Sequence, residues 1–117
     1  MMKAATQIPG SQRLHGQLVR AALEHLRVRF PRGVWWSNEN RPTKDSRGSW
    51  IGANVTPGPA DILGCYQGRH IEIECKTGAA RLNKAQRDHC VEIQAAGGVF
   101  ILIRDPGEIE KIKEVMP

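Results

Sequence analysis

The clearest pattern near the start of the chain is a stripe of apolar residues with helical spacing. Apolar side chains recur every four positions, at Leu14, Leu18, Ala22 and Leu26. This spacing is typical of an amphipathic helix that packs along one face. Ser11 stands where it can cap the start of the helix, and the helix must end before Pro31. A short strand is predicted next, over residues 34–36.

Two extended segments in the middle of the chain are predicted to pair as a β-hairpin. Residues 61–66 and 69–76 are separated only by Gln67 and Gly68, which favours a two-residue turn. In the second segment two sets of side chains alternate, the apolar Ile71, Ile73 and Cys75 and the ionisable Glu72, Glu74 and Lys76. We therefore expect one apolar face and one ionised face along this strand.

The last third of the chain predicts a helix, a strand and a final amphipathic segment. Asn83 and Gln86 have the spacing of a capping box that opens a helix, and the glycines at 97 and 98 end it. The continuous apolar run at 99–103 is typical of a strand buried on both faces. After a turn at 105–107, apolar positions continue at Ile109, Ile112 and Val115. The predicted order is α-β-β-β-α-β-α, in a single domain over 1–117.

Length and composition narrow the class of protein. The chain has 117 residues, of which 40% are hydrophobic and 25% charged, as in one ordinary globular domain, so multidomain, fibrous and disordered classes are disfavoured. No apolar run approaches the roughly 20 residues of a membrane span, and the start lacks an apolar signal-peptide region. We expect a cytoplasmic protein without a membrane partner. The three cysteines lack C-x-x-C spacing, so we expect reduced, mostly packed thiols.

Positive charge along the first helix is a candidate for binding a polyanion. The 17 Lys and Arg residues against 12 Asp and Glu residues give a net charge of +5, which is compatible with a nucleic-acid partner. Arg13, Arg20 and Arg27 recur every seven residues and therefore share one side of the helix. An ordinary solvated surface explains these three residues equally well.

Two further basic segments are candidates for DNA contact. The stretch 38–59 lacks periodicity, and a loop of that length is commonly functional, with simple disorder as the alternative. It carries Arg41, Lys44, Arg47 and Trp50. The predicted start of the second helix is positive through its backbone dipole and suits a phosphate. The basic residues around it are Arg81, Lys84 and Arg87.

The predicted hairpin places two carboxylates side by side. With a two-residue turn, Asp61 faces Glu74, and the Cβ atoms of such cross-strand partners lie about 4.5 to 5.5 Å apart. Two unit charges about 5 Å apart repel by about 3 kcal/mol at an effective dielectric constant of about 20. A divalent cation such as Mg²⁺ removes this repulsion, because it binds one or two carboxylates together with waters and phosphate oxygens. Lys76 would lie beside the ion, and we expect metal-assisted phosphodiester hydrolysis.

A structural alternative explains the same residues without chemistry. Glu74 and Lys76 can form a surface ion pair while Asp61 caps a turn. A slip of one residue in the hairpin would also move Asp61 to the face opposite Glu74. The metal hypothesis therefore depends on the turn being two residues long.

Three other polar residues near the hairpin are expected to lie outside the chemistry. Glu72 shares the ionised face, but it pairs with Leu63, farther from Asp61, and is expected to be peripheral. His70 and His89 are expected to be ordinary surface or packed side chains rather than ligands. Gln86 has a structural role available to it, because a glutamine at this position completes a capping box.

Several of these residues form an ordered set that resembles a known nuclease family. The segments are GPADI at 58–62, IECK at 73–76, TG at 77–78, RLNKAQ at 81–86 and AGG at 96–98. In this order and spacing they resemble the PD-(D/E)XK nucleases and, more narrowly, the virus-type replication-repair nuclease (VRR-NUC) domain in its short, stand-alone, phage-type form. The resemblance implies an α/β fold with an αβββαβ core, in which helices flank a central mixed sheet.

The same resemblance implies roles for individual residues. Asp61, Glu74 and the backbone carbonyl of Cys75 would bind Mg²⁺ or Mn²⁺, Lys76 would be the catalytic lysine, and Gln86 the motif glutamine. Short members of the family act as homodimers that cut branched DNA such as Holliday junctions. The expected location is then the cytoplasm of a bacterial or phage-infected cell.

Two departures from the family pattern concern the metal site. The proline of the motif stands at Pro59, one place early, which shifts the expected strand start but keeps the carboxylate of Asp61. Many members carry a metal-assisting glutamate in the first helix, where this chain offers Gln12 or His15. The number of metal ions, one or two, is therefore left open.

The sequence predicts a metal-dependent DNA endonuclease that acts on branched DNA in the manner of a Holliday junction resolvase. A junction has paired scissile phosphates and one small domain offers one active centre, so symmetric cutting needs a homodimer. Two alternatives stay open, a non-catalytic basic DNA-binding module on a nuclease scaffold and a restriction-type endonuclease for duplex DNA. Retention of Asp61, Glu74 and Lys76 disfavours the first, and the lack of an evident recognition domain disfavours the second.

Overall fold

The computed structural model describes residues 10–38, 43–44, 46–48, 50–51 and 59–116, with the backbone alone at 10–12, 43–44 and 50–51. These residues form an α/β fold with three α-helices and a four-stranded mixed sheet. The elements are α1 (Gly10–Arg29), β1 (Val34–Ser37), β2 (Thr43–Lys44), β3 (Trp50–Ile51), β4 (Ile62–Tyr66), β5 (Arg69–Cys75), α2 (Lys84–Ala95), β6 (Val99–Ile103), a 3₁₀-helix (Pro106–Glu110) and α3 (Lys111–Val115).

The main sheet has the strand order β1-β4-β5-β6. β1 pairs antiparallel with β4, β4 antiparallel with β5, and β5 parallel with β6. The parallel pair requires a crossover, which α2 provides between β5 and β6. The predicted element order is confirmed for these strands and helices. Inside the stretch expected to be aperiodic, β2 and β3 form a separate two-stranded ribbon.

The turn between β4 and β5 has the two residues expected of it. Gln67 and Gly68 both have positive φ, at 51° and 76°, as a tight hairpin turn that follows the twist of its strands requires. Tyr66 pairs with Arg69, and the register continues to Ile62 opposite Ile73. The predicted register is therefore confirmed, and the next pair outward is Asp61 and Glu74.

The core lies where α1 and the C-terminal segment meet the sheet. Its fully buried members include Leu26 from α1, Ile71 and Ile73 from β5, and Ile109 and Ile112 from the C-terminal segment. The core strand β6 is buried along nearly its whole length, as the apolar run predicted. This packing leaves the ends of β4 and β5 nearest Asp61 free to present polar groups.

Some residues at the margins of the predicted apolar stripes are not buried. Leu14 is 52% exposed, because the packed part of α1 begins only at Leu18. Val115 is exposed, and Met116 takes the buried position instead, where the chain leaves the helical conformation. Helix α1 starts at Gly10, one residue before the predicted cap.

The aromatic and sulfur side chains also divide between core and surface. Trp35 is buried and contacts Phe30 edge to ring, whereas Trp36, on the opposite side of β1, is 44% exposed. The cysteines are free: Cys75 is buried and Cys90 half-buried. The expectation of packing is wrong for Cys65, which is exposed near the hairpin turn. Among the described residues, no helix has the length and apolar character to cross a bilayer.

Helix α2 begins with the predicted capping box. The Asn83 side chain accepts from the backbone N–H of Gln86 at 2.8 Å, and the Gln86 side chain accepts from the backbone N–H of Asn83 at 2.9 Å. Two of the otherwise unpaired N–H groups at the helix start are satisfied in this way. At the other end the chain turns at Gly97, whose φ is +89°.

Glycine substitutions at two positions are expected to have opposite effects on stability. A Cβ at Gly64 would overlap the Trp35 ring, which a hydrogen bond from Nε1 to the Phe30 carbonyl holds in place. Gly64→Ala should therefore lower the free energy of unfolding by about 1–3 kcal/mol. Gly16→Ala, inside α1, where the added Cβ would meet the Arg20 guanidinium at an ordinary contact distance of 3.5 Å, should raise it by about 0.5–1 kcal/mol. Urea unfolding of both variants checks this, and equal effects would contradict the packing described here.

Candidate metal centre

Two carboxylates meet where β4 begins and β5 ends. Asp61 immediately precedes β4 and stands opposite Glu74 in the register of the hairpin. Asp61 Oδ2 accepts from the backbone N–H of Cys75 at 2.8 Å, which ties this side chain to β5. The Glu74 side chain is almost completely buried, and the charge of Asp61 is among the causes that raise its pKa. The expected juxtaposition of the two acids is therefore present.

This arrangement concentrates negative charge in a place that water reaches poorly. Burial, and then the charge of Asp61, raise the pKa of Glu74 to about 7, against the opposing effect of Lys76. A carboxyl group in this state is half-ionised at neutral pH. The negative charge of the two acids is thus only partly offset by Lys76. A bound cation would reduce the remaining repulsion.

Lys76 supplies part of the missing charge. Its Nζ lies 3.4 Å from Glu74 Oε2, and its side chain is only 17% exposed. The structural alternative of a surface ion pair is therefore wrong, since both partners are largely removed from solvent. The alternative role of Asp61 as a turn cap is also wrong, because its hydrogen bond crosses to the neighbouring strand.

Gln86 connects the start of α2 to the pair of acids. Its Nε2 donates to Glu74 Oε2 at 3.1 Å, while its Oε1 accepts from the backbone N–H of Asn83. The capping role and the contact with the site coexist in one side chain. Glu74 Oε2 is thereby approached by both an amide and an ammonium donor.

The donor set fits a hard divalent cation. Mg²⁺ prefers oxygen ligands and is commonly held by one or two carboxylates, with waters and phosphate oxygens completing its shell. Asp61 and Glu74 match that requirement. Within the ranges the structure describes, no group of three or more His, Cys, Asp or Glu side chains is arranged to hold a metal ion. The Cys75 thiol is buried in the core and its pKa is raised by burial, so only the carbonyl of Cys75 is a candidate ligand.

His15 reaches the site from the first helix. Its Nε2 lies 3.2 Å from Asp61 Oδ2, and its side chain is about one-third exposed. Of the two residues considered as substitutes for the family's helical glutamate, His15 is therefore placed at the pair of acids. The Gln12 side chain lies outside the described residues.

A cleft of about 200 Å³ opens beside Asp61, between α1 and the end of β1. Its apolar side is formed by Val19 and Leu23, and its polar side includes His15 and Arg20. The other lining residues are Gly16, Ser37, Asn38 and Asp61. A group bound in this cleft would touch both the candidate metal ligand and an arginine of the proposed DNA-binding face.

The predicted DNA-binding residues of α1 are exposed but differ in their surroundings. Arg13 and Arg20 are exposed, and Arg20 lines the cleft beside Asp61. Arg27 is exposed and donates to the backbone carbonyl of Trp35 at 3.2 Å. Of these three arginines, Arg20 is therefore the one that shares a cleft with Asp61.

The remaining predicted DNA-binding residues fall into two groups. Arg81, Lys84 and Arg87 are exposed around the start of α2, where Lys84 pairs with Asp88 and Arg87 donates to the Leu82 carbonyl. Arg47 is exposed and Lys44 lies in β2 with an undescribed side chain, whereas Arg41 lies outside the described residues.

Glu72 pairs with Leu63, as expected of a residue peripheral to the pair of acids, but its burial and its contacts were not predicted. It is 4% exposed, and the imidazole nitrogens of His70 and His89 lie 2.6 and 2.8 Å from its two oxygens. One oxygen also accepts from the backbone N–H of Ala60 at 3.2 Å. No local pattern pointed to this cluster, because His89 and Ala60 are distant from Glu72 in sequence and only α2 and the segment before β4 bring them together.

Comparison with known proteins adds no identification. No protein-family model matches the chain. A search of curated proteins likewise finds no match.

The raised pKa of Glu74 predicts a specific pH dependence of stability in metal-free buffer. Because its folded-state pKa of about 7 exceeds the ordinary value of 4.5, the protonated form favours folding. This contribution is present below pH 4.5 and is lost as the pH rises through about 7. The difference in free energy of unfolding between Glu74→Gln and the wild type should therefore grow, in favour of the variant, by on the order of 3 kcal/mol from acidic pH to about pH 8.

Chemical unfolding across this range, with a chelator present, measures the difference. Asp88→Asn is the matched control, because Asp88 is exposed and pairs only with Lys84 in the described structure. Parallel stability curves for the wild type and Glu74→Gln would contradict the electrostatic strain assigned to the site.

Proposed function

We propose that this protein is a metal-dependent DNA endonuclease of the PD-(D/E)XK type, similar to the VRR-NUC domain. The observation that carries the proposal is the pairing of Asp61 with Glu74 across the hairpin, with Lys76 and Gln86 directed at Glu74. Two carboxylates suit a hard cation, and an ammonium beside them can offset the charge that develops during phosphodiester hydrolysis.

The order of elements supports the same proposal. With the β2–β3 ribbon set aside, the chain runs α1-β1-β4-β5-α2-β6, which has the αβββαβ order of the nuclease core. The acids lie on the central strands, and the helix after them carries the motif glutamine. Fold and motif residues thus agree in their positions.

In this proposal Asp61, Glu74 and the carbonyl of Cys75 hold Mg²⁺ or Mn²⁺. The ion, when bound, polarises the phosphoryl group and offsets the charge that develops on its oxygens. The ammonium group of Lys76 would hold the attacking water by a hydrogen bond. Its positive charge would offset the negative charge that develops on the phosphate oxygens. Gln86 keeps Glu74 in place by its hydrogen bond, so that the acid needs no rearrangement when substrate arrives.

We propose DNA as the substrate because a basic surface adjoins the acids. Arg20 lies in the cleft that Asp61 also lines, so a phosphate near the acids would have a cation beside it. The positive start of α2 offers a second phosphate contact. Branched DNA and a homodimer follow from the family resemblance and from the paired cuts that a junction needs.

Asp61→Asn should abolish cleavage and preserve folding. The amide keeps the shape of the side chain but removes the charge that attracts the cation, and we expect a rate reduction of at least about 10²-fold. A labelled Holliday junction, a flap, a single strand and a duplex, each with Mg²⁺ or Mn²⁺, measure the activity. DNA binding without added metal should persist.

The control for this experiment is Asp88→Asn, the same change at an exposed position of α2. Undiminished junction cutting by Asp61→Asn would refute the site. DNA binding by the wild type without cutting would instead favour the non-catalytic module. Preference for one duplex sequence would favour the restriction-type enzyme.

Lys76→Ala should separate catalysis from metal binding. Because the ammonium acts on the water and on developing charge, its loss should lower kcat about 10²- to 10³-fold. Mn²⁺ affinity, measured by titration calorimetry, should be retained, since both carboxylates remain. Lys113→Ala, at an exposed lysine of α3, is the matched control. Lost Mn²⁺ affinity at an unchanged turnover rate would contradict the role given to Lys76.

A further inference from the structure

Glu72 is a buried carboxyl group that has no part in the proposed chemistry. Removing an ionised carboxylate from water costs several kcal/mol unless hydrogen bonds replace the lost hydration. Glu72 is 4% exposed and meets three nitrogen atoms, those of the Ala60 backbone and of the His70 and His89 rings. The backbone N–H of Ala60 donates to Glu72, and both imidazole Nε2 atoms lie within hydrogen-bond distance of its oxygens.

The partners of Glu72 belong to the two segments that bear the site residues. Ala60 immediately precedes Asp61, so the hydrogen bond from its N–H holds the backbone that presents this acid. His89 lies on α2, one helical turn after Gln86 and therefore on the same side of the helix. Glu72 thus connects β5 both to the segment of Asp61 and to the helix of Gln86.

These connections oppose the repulsion within the pair of acids. Asp61 and Glu74 repel each other when both are charged, and Ala60 and Asp61 lie just outside the paired residues of β4. Asn38 holds this segment from the side of β1, through bonds to the carbonyls of Asp61 and Ala60. Glu72 holds the same segment from the side of β5, by accepting from the backbone N–H of Ala60. This bond helps to set the distance between Asp61 and Glu74.

The contacts of Glu72 also serve the stability of the fold. An apolar residue at position 72 would leave the Ala60 N–H without its acceptor, which costs stability. The ring of His89 is held from a second side, because it packs edge to face against Phe100 of β6, with ring centroids 6.3 Å apart. A positioning role therefore needs a readout other than stability.

From this geometry we infer that Glu72, together with His89, is a positioning residue pair for the metal centre. It fixes the Asp61 backbone and the start of α2 relative to β5, so that the two acids stay opposed before a cation arrives. The inference rests on the proposed function. Outer partners of this kind typically contribute about 10- to 100-fold in metal affinity or activity.

The first test needs no metal and no activity. Amide hydrogen exchange, followed by NMR, reports on the N–H of Ala60 and on the N–H of Cys75, which donates to Asp61. In Glu72→Leu both amides should exchange faster, whereas Glu92→Leu, the same change at an exposed position of α2, should leave them unchanged. Unchanged exchange at Cys75 would overturn the inference, because Asp61 would then be positioned without Glu72.

The second test uses Mn²⁺ calorimetry and cleavage kinetics on a labelled junction. Glu72→Leu should lower Mn²⁺ affinity and kcat by about 10- to 100-fold, with KM for DNA unchanged. Glu72→Gln should recover most of this loss, because its amide oxygen still accepts from Ala60. Equal metal affinity and kcat in the wild type and Glu72→Leu, or a fall in melting temperature alone, would overturn the inference.

Should Glu72→Leu fail to fold, His89→Leu carries the kinetic test. It keeps the bond from Ala60 to Glu72 and removes the contact of α2 with Glu72, so kcat should fall measurably, but by less than about 10- to 100-fold. An unchanged kcat would overturn the pairing of Glu72 with His89. A wild type that neither binds Mn²⁺ nor cuts DNA refutes the proposed function, while the exchange experiment still decides whether Glu72 positions Asp61.

Discussion

The structure depends on two like charges being held against each other across a hairpin. The two-residue turn at Gln67 and Gly68 sets the register of β4 and β5, and this register brings Asp61 opposite Glu74. The fold tolerates the repulsion because the carboxylates receive a backbone N–H, an amide and an ammonium. The result is a small site of two opposed acids, in which burial and the charge of Asp61 raise the pKa of Glu74.

Glu72 and Glu74 show how neighbouring acids on one strand face acquire different roles. Both are buried, and they lie two residues apart on β5. The oxygens of Glu72 meet two imidazole nitrogens and accept from one backbone N–H. Glu74 faces another acid, and burial together with that acid raises its pKa to about 7. A carboxylate satisfied by the protein supports structure, whereas one that lacks positive charge is available for chemistry.

Side chains of helix α2 both cap the start of the helix and contact the two acids of β5. Its capping box is complete within four residues, from Asn83 to Gln86, and the same Gln86 side chain then reaches Glu74. One turn later His89 reaches Glu72. Because the helix is the crossover between the parallel strands β5 and β6, its position is set by the sheet that carries both acids.

Features with local causes were predictable from the sequence. The turn, the hairpin register and the capping box each depend on residues a few positions apart, and the opposition of Asp61 and Glu74 follows from the register by counting. Periodicity identified the inner faces of the helices but not how far packing extends, so the exposure of Leu14 and Val115 was missed. The burial of Glu72, its contact with His89 and the approach of His15 to Asp61 join residues 17 to 46 positions apart. Such contacts exist only after helices close over the sheet, because no local preference of the chain encodes which distant side chains will meet there.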